Sequence, residues 1–140
     1  MTRLLAVLSL VLGCGGDPPV APWPPPALAD RPLVGIFEGK FPCDGCERIK
    51  TALALYQDGR YALRQIRVAE EGIDDSEGRW ATTHGARAWP EGPVVELRPD
   101  ADGPPTLYLK VDENVLLLLD RDLNVRVGNA AHSFALSRTR

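Results

Sequence analysis

The stretch Ile49-Lys50-Thr51-Ala52-Leu53-Ala54-Leu55-Tyr56-Gln57-Asp58-Gly59-Arg60-Tyr61-Ala62-Leu63-Arg64-Gln65-Ile66-Arg67-Val68 decides the fold. In its first half the larger aliphatics fall on odd positions, and a repeat of two is the signature of a strand with one buried face. Asp58-Gly59 then separates two alternating runs, a strong hairpin signal because glycine accepts the positive φ that tight turns require. Working outward, further short runs bounded by Gly, Pro and Asp appear at Leu33 to Gly39, Gly78 to Thr82, Val94 to Arg98, Thr106 to Val111, Val115 to Asp120 and His132 to Arg138. Beyond the first dozen residues no stretch carries a convincing helical period. The expectation is an all-β fold, an antiparallel up-and-down barrel of about eight strands whose closure removes exposed edges. A sandwich is the other arrangement the pattern allows. The interior of so small a barrel is either filled by side chains or holds one small ligand, and periodicity does not choose between them.

At 140 residues the chain has room for one domain, and 44% hydrophobic with 25% charged residues is an ordinary globular composition. The net charge is −3 and no Lys/Arg cluster interleaves with aromatics, which argues against a nucleic-acid partner. The N-terminus places Arg3 before the apolar run Leu4 to Leu12 and then Gly13-Cys14. This run is too short to span a bilayer and reads as a secretory signal. Val11-Leu12-Gly13-Cys14 resembles a bacterial lipobox, which implies diacylation of the Cys14 thiol, cleavage after Gly13 and acylation of the new amino group. Residues 1–13 are thus expected to be a signal peptide. Seven of the thirteen prolines fall between Gly15 and Pro32, so residues 14–32 are expected to form a lipidated, semi-rigid tether of polyproline II character, with Trp23 and Pro24-Pro25-Pro26 part of the spacer. The folded domain is expected to be 33–140.

With Cys14 lipidated, Cys43 and Cys46 form an even pair in an exported protein, where a disulfide is permitted. Pro42 and Gly45 favour a tight turn, and so small a closed loop constrains the unfolded chain only modestly. The pair therefore has three readings. It is a redox-responsive disulfide, a two-thiolate site for copper(I), or a structural clip. A thiol oxidoreductase is disfavoured because strands, not a helix N-terminus, flank the pair. His84 and His132 have no ligand spacing to each other or to the cysteines and read as surface or hydrogen-bonded histidines.

No Gly-x-Ser-x-Gly, phosphate loop or His-Glu-x-x-His is present, and no catalytic residue is assigned. Glu70-Glu71 and Asp74-Asp75 are expected in a hairpin loop, and Asp120-Arg121-Asp122-Leu123-Asn124 in a turn, since it lacks the glycine and distant glutamate of an EF-hand. Trp80 and Trp89 either line a ligand cavity or fill the core, and core packing is the favoured reading.

Gly35-x3-Gly39-x2-Pro42-Cys43-x2-Cys46-x2-Ile49-x-Thr51-x-Leu53-x-Leu55-x2-Asp58-Gly59-x-Tyr61-x-Leu63 resembles the N-terminal domain of the NlpE copper-resistance lipoproteins, and agreement continues through Gly78-x-Trp80, Leu119-Asp120 and Phe134-x-Leu136-x-Arg138. The resemblance implies a lipocalin-like β-barrel and a non-enzymatic lipoprotein of copper tolerance or envelope-stress signalling. On this basis Cys14 is the lipidation site, and Cys43 and Cys46 form the disulfide or metal site, with copper(I) as its candidate metal. The implied partners are the membrane, through the lipid, and an envelope signalling protein; the chain is read as a monomer. Gly15-Gly16 lack the aspartate of inner-membrane retention, which places the anchor in the outer membrane with the domain facing the periplasm. Two departures stand out. Asp44-Gly45 fills the positions where Ala-Asp is common in the family, and the sequence carries one such domain where the founding member carries a second with its own cysteines. The alternative function is a lipocalin-like carrier of a small lipophilic ligand, with the cysteines as a structural disulfide.

Overall fold

Eight antiparallel strands succeed one another around a closed barrel in the computed structural model, which describes residues 20–70 and 72–140. They are β1 Leu33–Phe41, β2 Arg48–Tyr56, β3 Arg60–Val68, β4 Gly72–His84, β5 Pro93–Pro99, β6 Thr106–Lys110, β7 Val115–Leu118 and β8 Ala135–Arg138. Each pairs with the next, and β8 returns to β1 with Phe37 opposite Arg138. The expected up-and-down barrel is the fold; the sandwich is not. The signal peptide, Cys14 and the first part of the tether lie outside the described residues, as does Glu71.

The deciding hairpin follows its sequence logic. Asp58-Gly59 turns the chain with Gly59 at φ 88° and its N–H donating to the Tyr56 carbonyl, so Leu55 stands opposite Tyr61. The odd-numbered residues of β2, Leu53 and Leu55, then point inward with Phe37 and Phe41 of β1 and Tyr61 of β3. Val95, Leu97, Tyr108, Leu116 and Leu136 complete the same cluster from β5 to β8, and Trp80 packs on it from β4. All eight strands therefore fill the barrel interior with side chains.

Closure depends on a glycine of the sequence motif. A Cβ on Gly39 would stand 2.2 Å from the Ala135 carbonyl oxygen, whereas one on Gly35 would first meet the movable tip of the Arg138 side chain. Only a residue without a side chain lets β8 lie this close against β1.

Four expectations change. Asp74 and Asp75 belong to β4, not to a loop, because that strand runs 13 residues, pairing with β3 through its first part and β5 through its last. Asp75 stands opposite Arg64 and accepts two of its hydrogen bonds, at 2.7 and 2.8 Å; a sequence pattern sees the acidic run but not the cation across the ladder. The last strand starts at Ala135 rather than His132, and β7 stops at Leu118, with Leu119 bridging to Val125. Trp89 is 44% exposed in the β4–β5 loop and does not belong to the core. Finally, the segment from Val20 to Pro32 does more than space. Pro26–Leu28 forms a 3-10 turn, Leu28 is buried, and Trp23 and Leu28 pack against Ile36, Ala54, Tyr56 and Ala62 on the outer face of β1, β2 and β3. Arg64, 9% exposed and held by Asp75, donates to the Ala21 carbonyl at 2.8 Å. Small outward residues Ala54 and Ala62 leave room for this strap, which proline composition alone conceals.

Candidate functional site at the cysteine mouth

Strand alternation brings the β1–β2, β3–β4, β5–β6 and β7–β8 connections to one end of the barrel. The first of these is Pro42-Cys43-Asp44-Gly45-Cys46-Glu47. Gly45 adopts φ 84°, a left-handed conformation that closes the turn without Cβ strain. The cysteine Cα atoms are then 5.4 Å apart with the sulfurs at disulfide distance. Cys43 and Cys46 are half-buried, whereas Asp44 and Gly45 are exposed. One side of the sulfur pair thus faces the barrel and the other lies under a solvent-exposed turn. The Glu47 N–H donates to the Val68 carbonyl, fixing the end of the loop to β3.

Cys43 lines a cleft of about 380 Å³ shared with Phe41, Ile49, Arg67, Arg126 and Phe134, with Asp44 at its edge. A second cleft of about 390 Å³ adjoins it, and the two share Phe41, Gln65, Leu118 and Arg126. The Phe41 and Phe134 rings meet at 5.4 Å between centroids, and the Arg126 guanidinium carbon stands 4.3 Å over Phe134. The Arg126 N–H donates to the Leu118 carbonyl at 2.9 Å, which places the residue at the rim. The neighbouring Asp120 carboxylate accepts the backbone N–H groups of Asp122 and Asn124, so the acidic run folds as the expected turn, with Leu123 at φ 67°.

The histidines join neither the cysteines nor each other: His84 ends β4 and His132 lies in the β7–β8 connection. Among the described residues no group of three or more His, Cys, Asp or Glu side chains is arranged to hold a metal ion. Any metal at the mouth would rest on the two sulfurs. Sequence reasoning located the pair but missed Arg67, Arg126 and Phe134, which line its cleft. Phe134 was visible as part of a strand, yet Arg126 lies in the aperiodic connection after β7, where nothing in the sequence indicates which way a side chain turns.

An up-and-down barrel of eight strands, plugged by its own side chains and carrying a two-cysteine turn at one mouth, is the class that fold and site define. The family model described as the NlpE N-terminal domain matches residues 37–129, and the chain belongs to that family. Among solved structures it is similar to a Shewanella oneidensis protein assigned as a lipoprotein, with 32% identity and a TM-score of 0.57 over 79% of this chain and 90% of that one. It is also similar to the Cpx pathway activator NlpE from Escherichia coli, with 26% identity and a TM-score of 0.55 over 68% of this chain. The match spans 46% of the Escherichia coli chain. No match was found among curated proteins.

Proposed function

We propose that this chain is a lipoprotein of the bacterial envelope, anchored to the outer membrane through Cys14 with its barrel in the periplasm, and that it senses envelope stress through Cys43 and Cys46. The carrying observation is the position of the pair. It lies in an exposed turn with Cys43 lining a cleft, and it joins residues only three apart in sequence, so it does not staple distant strands. A clip of that size stabilises less than a long-range bridge would, whereas its accessibility suits exchange with a reductant. Reduction by a dithiol breaks the S–S bond, places two electrons and two protons on the sulfurs as two thiols, and closes the reductant into its own disulfide. Arg67 and Arg126 face the same cleft, and neighbouring cations favour the thiolate that exchange requires.

Copper tolerance follows from the same chemistry. Two soft thiolates suit copper(I) in a near-linear arrangement, and only the reduced pair supplies them. The reading involves no catalytic turnover; its output is contact with an envelope signalling protein, as the description of the Escherichia coli relative as a pathway activator supports. The test is an anaerobic copper(I) titration of the full chain against a competing chelator, in oxidised and dithiol-reduced forms, beside Cys43→Ser/Cys46→Ser. Binding by the reduced wild type alone is expected. A pair that resists dithiol reduction in the folded protein, and binds no copper when forced open, would return it to a structural clip.

A further inference from the structure

The barrel interior is occupied by side chains, yet its cysteine mouth is not closed over. The two adjoining clefts together present an apolar floor of Phe41, Leu63, Tyr108 and Leu118, and both are bordered by Arg126. Each is within the size range of ligand sites. Arg126 belongs to none of the ion pairs formed by the described residues; its contact is the Phe134 ring. Of the two carboxylates at the rim, Asp120 is engaged by backbone N–H groups within its own turn, and Asp44 stands on the exposed loop. Arg121 borders one cleft and Arg67 the other. Arg67 is paired with Glu70 at 4.0 Å, whereas Arg126 and Arg121 join no ion pair among the described residues; an apolar floor under these two guanidinium groups is complementary to a molecule with a greasy body and an acidic head.

We infer that the mouth binds an anionic amphiphile, with the acidic head on Arg126 and the apolar tail on Phe41, Leu63 and Leu118, and that occupancy is coupled to the redox state of Cys43 and Cys46. The coupling rests on the proposed sensing role of the pair, because Cys43 is a wall of the cleft and opening the disulfide frees that wall. Coupling between two sites is reciprocal, so a ligand that prefers one redox form shifts the dithiol equilibrium by the same factor. The site thereby gives the sensor a second input besides reductant or metal.

The test is calorimetric titration of the full chain with decanoate below its micelle-forming concentration, with decanol and acetate as controls. The oxidised protein is expected to bind decanoate saturably, with decanol and acetate each weaker. Arg126→Gln should weaken decanoate by about tenfold, the size of one charge-assisted contact, and Arg126→Lys should recover part of it. Equal binding of decanol and decanoate, or an unaffected Arg126→Gln protein, overturns the site. Reduction by dithiothreitol should change the affinity by about fivefold or more, and decanoate should move the dithiol titration by the same factor. Arg126-dependent binding that is identical in both redox forms leaves the site standing and overturns the coupling. The first arm uses only oxidised protein, so failure of the redox reading is distinguishable from failure of the ligand site.

Discussion

Replacing Gly39 by alanine tests how the barrel closes. The added Cβ would sit 2.2 Å from the Ala135 carbonyl oxygen and 3.1 Å from Leu136 Cδ2. The first obstacle is backbone, so no rotamer change relieves it, and β8 must retreat by roughly 1 Å to reach ordinary contact distance. Overpacking of this kind costs about 1–3 kcal/mol, against which alanine gains about 0.5–1 kcal/mol over glycine in strand propensity. The net expectation is a loss of about 1–2 kcal/mol, concentrated at the seam. β8 is only four residues long, and the seam beyond it is held by the Thr139 N–H donating to the Ile36 carbonyl at 2.7 Å and the Ile36 N–H donating to the Arg140 carbonyl at 3.1 Å. Urea unfolding reads the global change and amide exchange at Thr139 and Ile36 reads the local one. Gly72→Ala is the control, because there a Cβ would meet only the Arg67 side chain at 3.8 Å. If Gly39→Ala matches Gly72→Ala in both measurements, the steric account of closure is wrong.

Opening the cysteine clip should leave the barrel folded: the loop-entropy relation gives about 2 kcal/mol for a four-residue ring, so Cys43→Ser/Cys46→Ser should keep its β-sheet circular dichroism with a urea midpoint lowered by about 1 M, and an unfolded variant would contradict this. Leu28→Ala should cost about 2 kcal/mol or more in the same assay, since Leu28 is 4% exposed on the barrel-facing side of the strap; a change within about 0.5 kcal/mol would make the segment a mere spacer after all. Burial raises the Tyr108 hydroxyl far above its ordinary value, and burial also raises Tyr61. A raised folded-state value leaves the stabilisation intact below the unfolded value near 10 and removes it progressively above that pH, so the urea midpoint should fall from about pH 10 upward. Tyr108→Phe should flatten that decline, and an unchanged alkaline slope would refute the assignment.

The barrel was legible in the sequence because strand period, turn chemistry and strand count all agreed. Asp58-Gly59 named both the hairpin and its register, and the alternation in β2 named the buried face. What escaped was whatever depends on contacts between distant segments. Asp75 reads as part of a solvated acidic run until Arg64 is seen across the ladder, with Ala21 accepting a further bond from Arg64. Proline content in residues 20–32 is silent about docking, because Trp23 and Leu28 find partners among outward-facing alanines that carry no periodic signal. At the mouth, the cysteine spacing and Gly45 announced the turn. The Arg126 and Phe134 contact depends on how the long β7–β8 connection folds back over the barrel end, and neither period nor propensity reports that.

The central claim, that Cys43 and Cys46 are the sensing element and not a staple, is tested most directly in cells. An envelope-stress reporter would be followed under copper and under reductant with the wild-type chain or Cys43→Ser/Cys46→Ser, with membrane fractionation confirming equal amounts of anchored protein. The account predicts that the variant is exported and folded but loses the response to both treatments. A response equal to that of the wild type at equal abundance would contradict it.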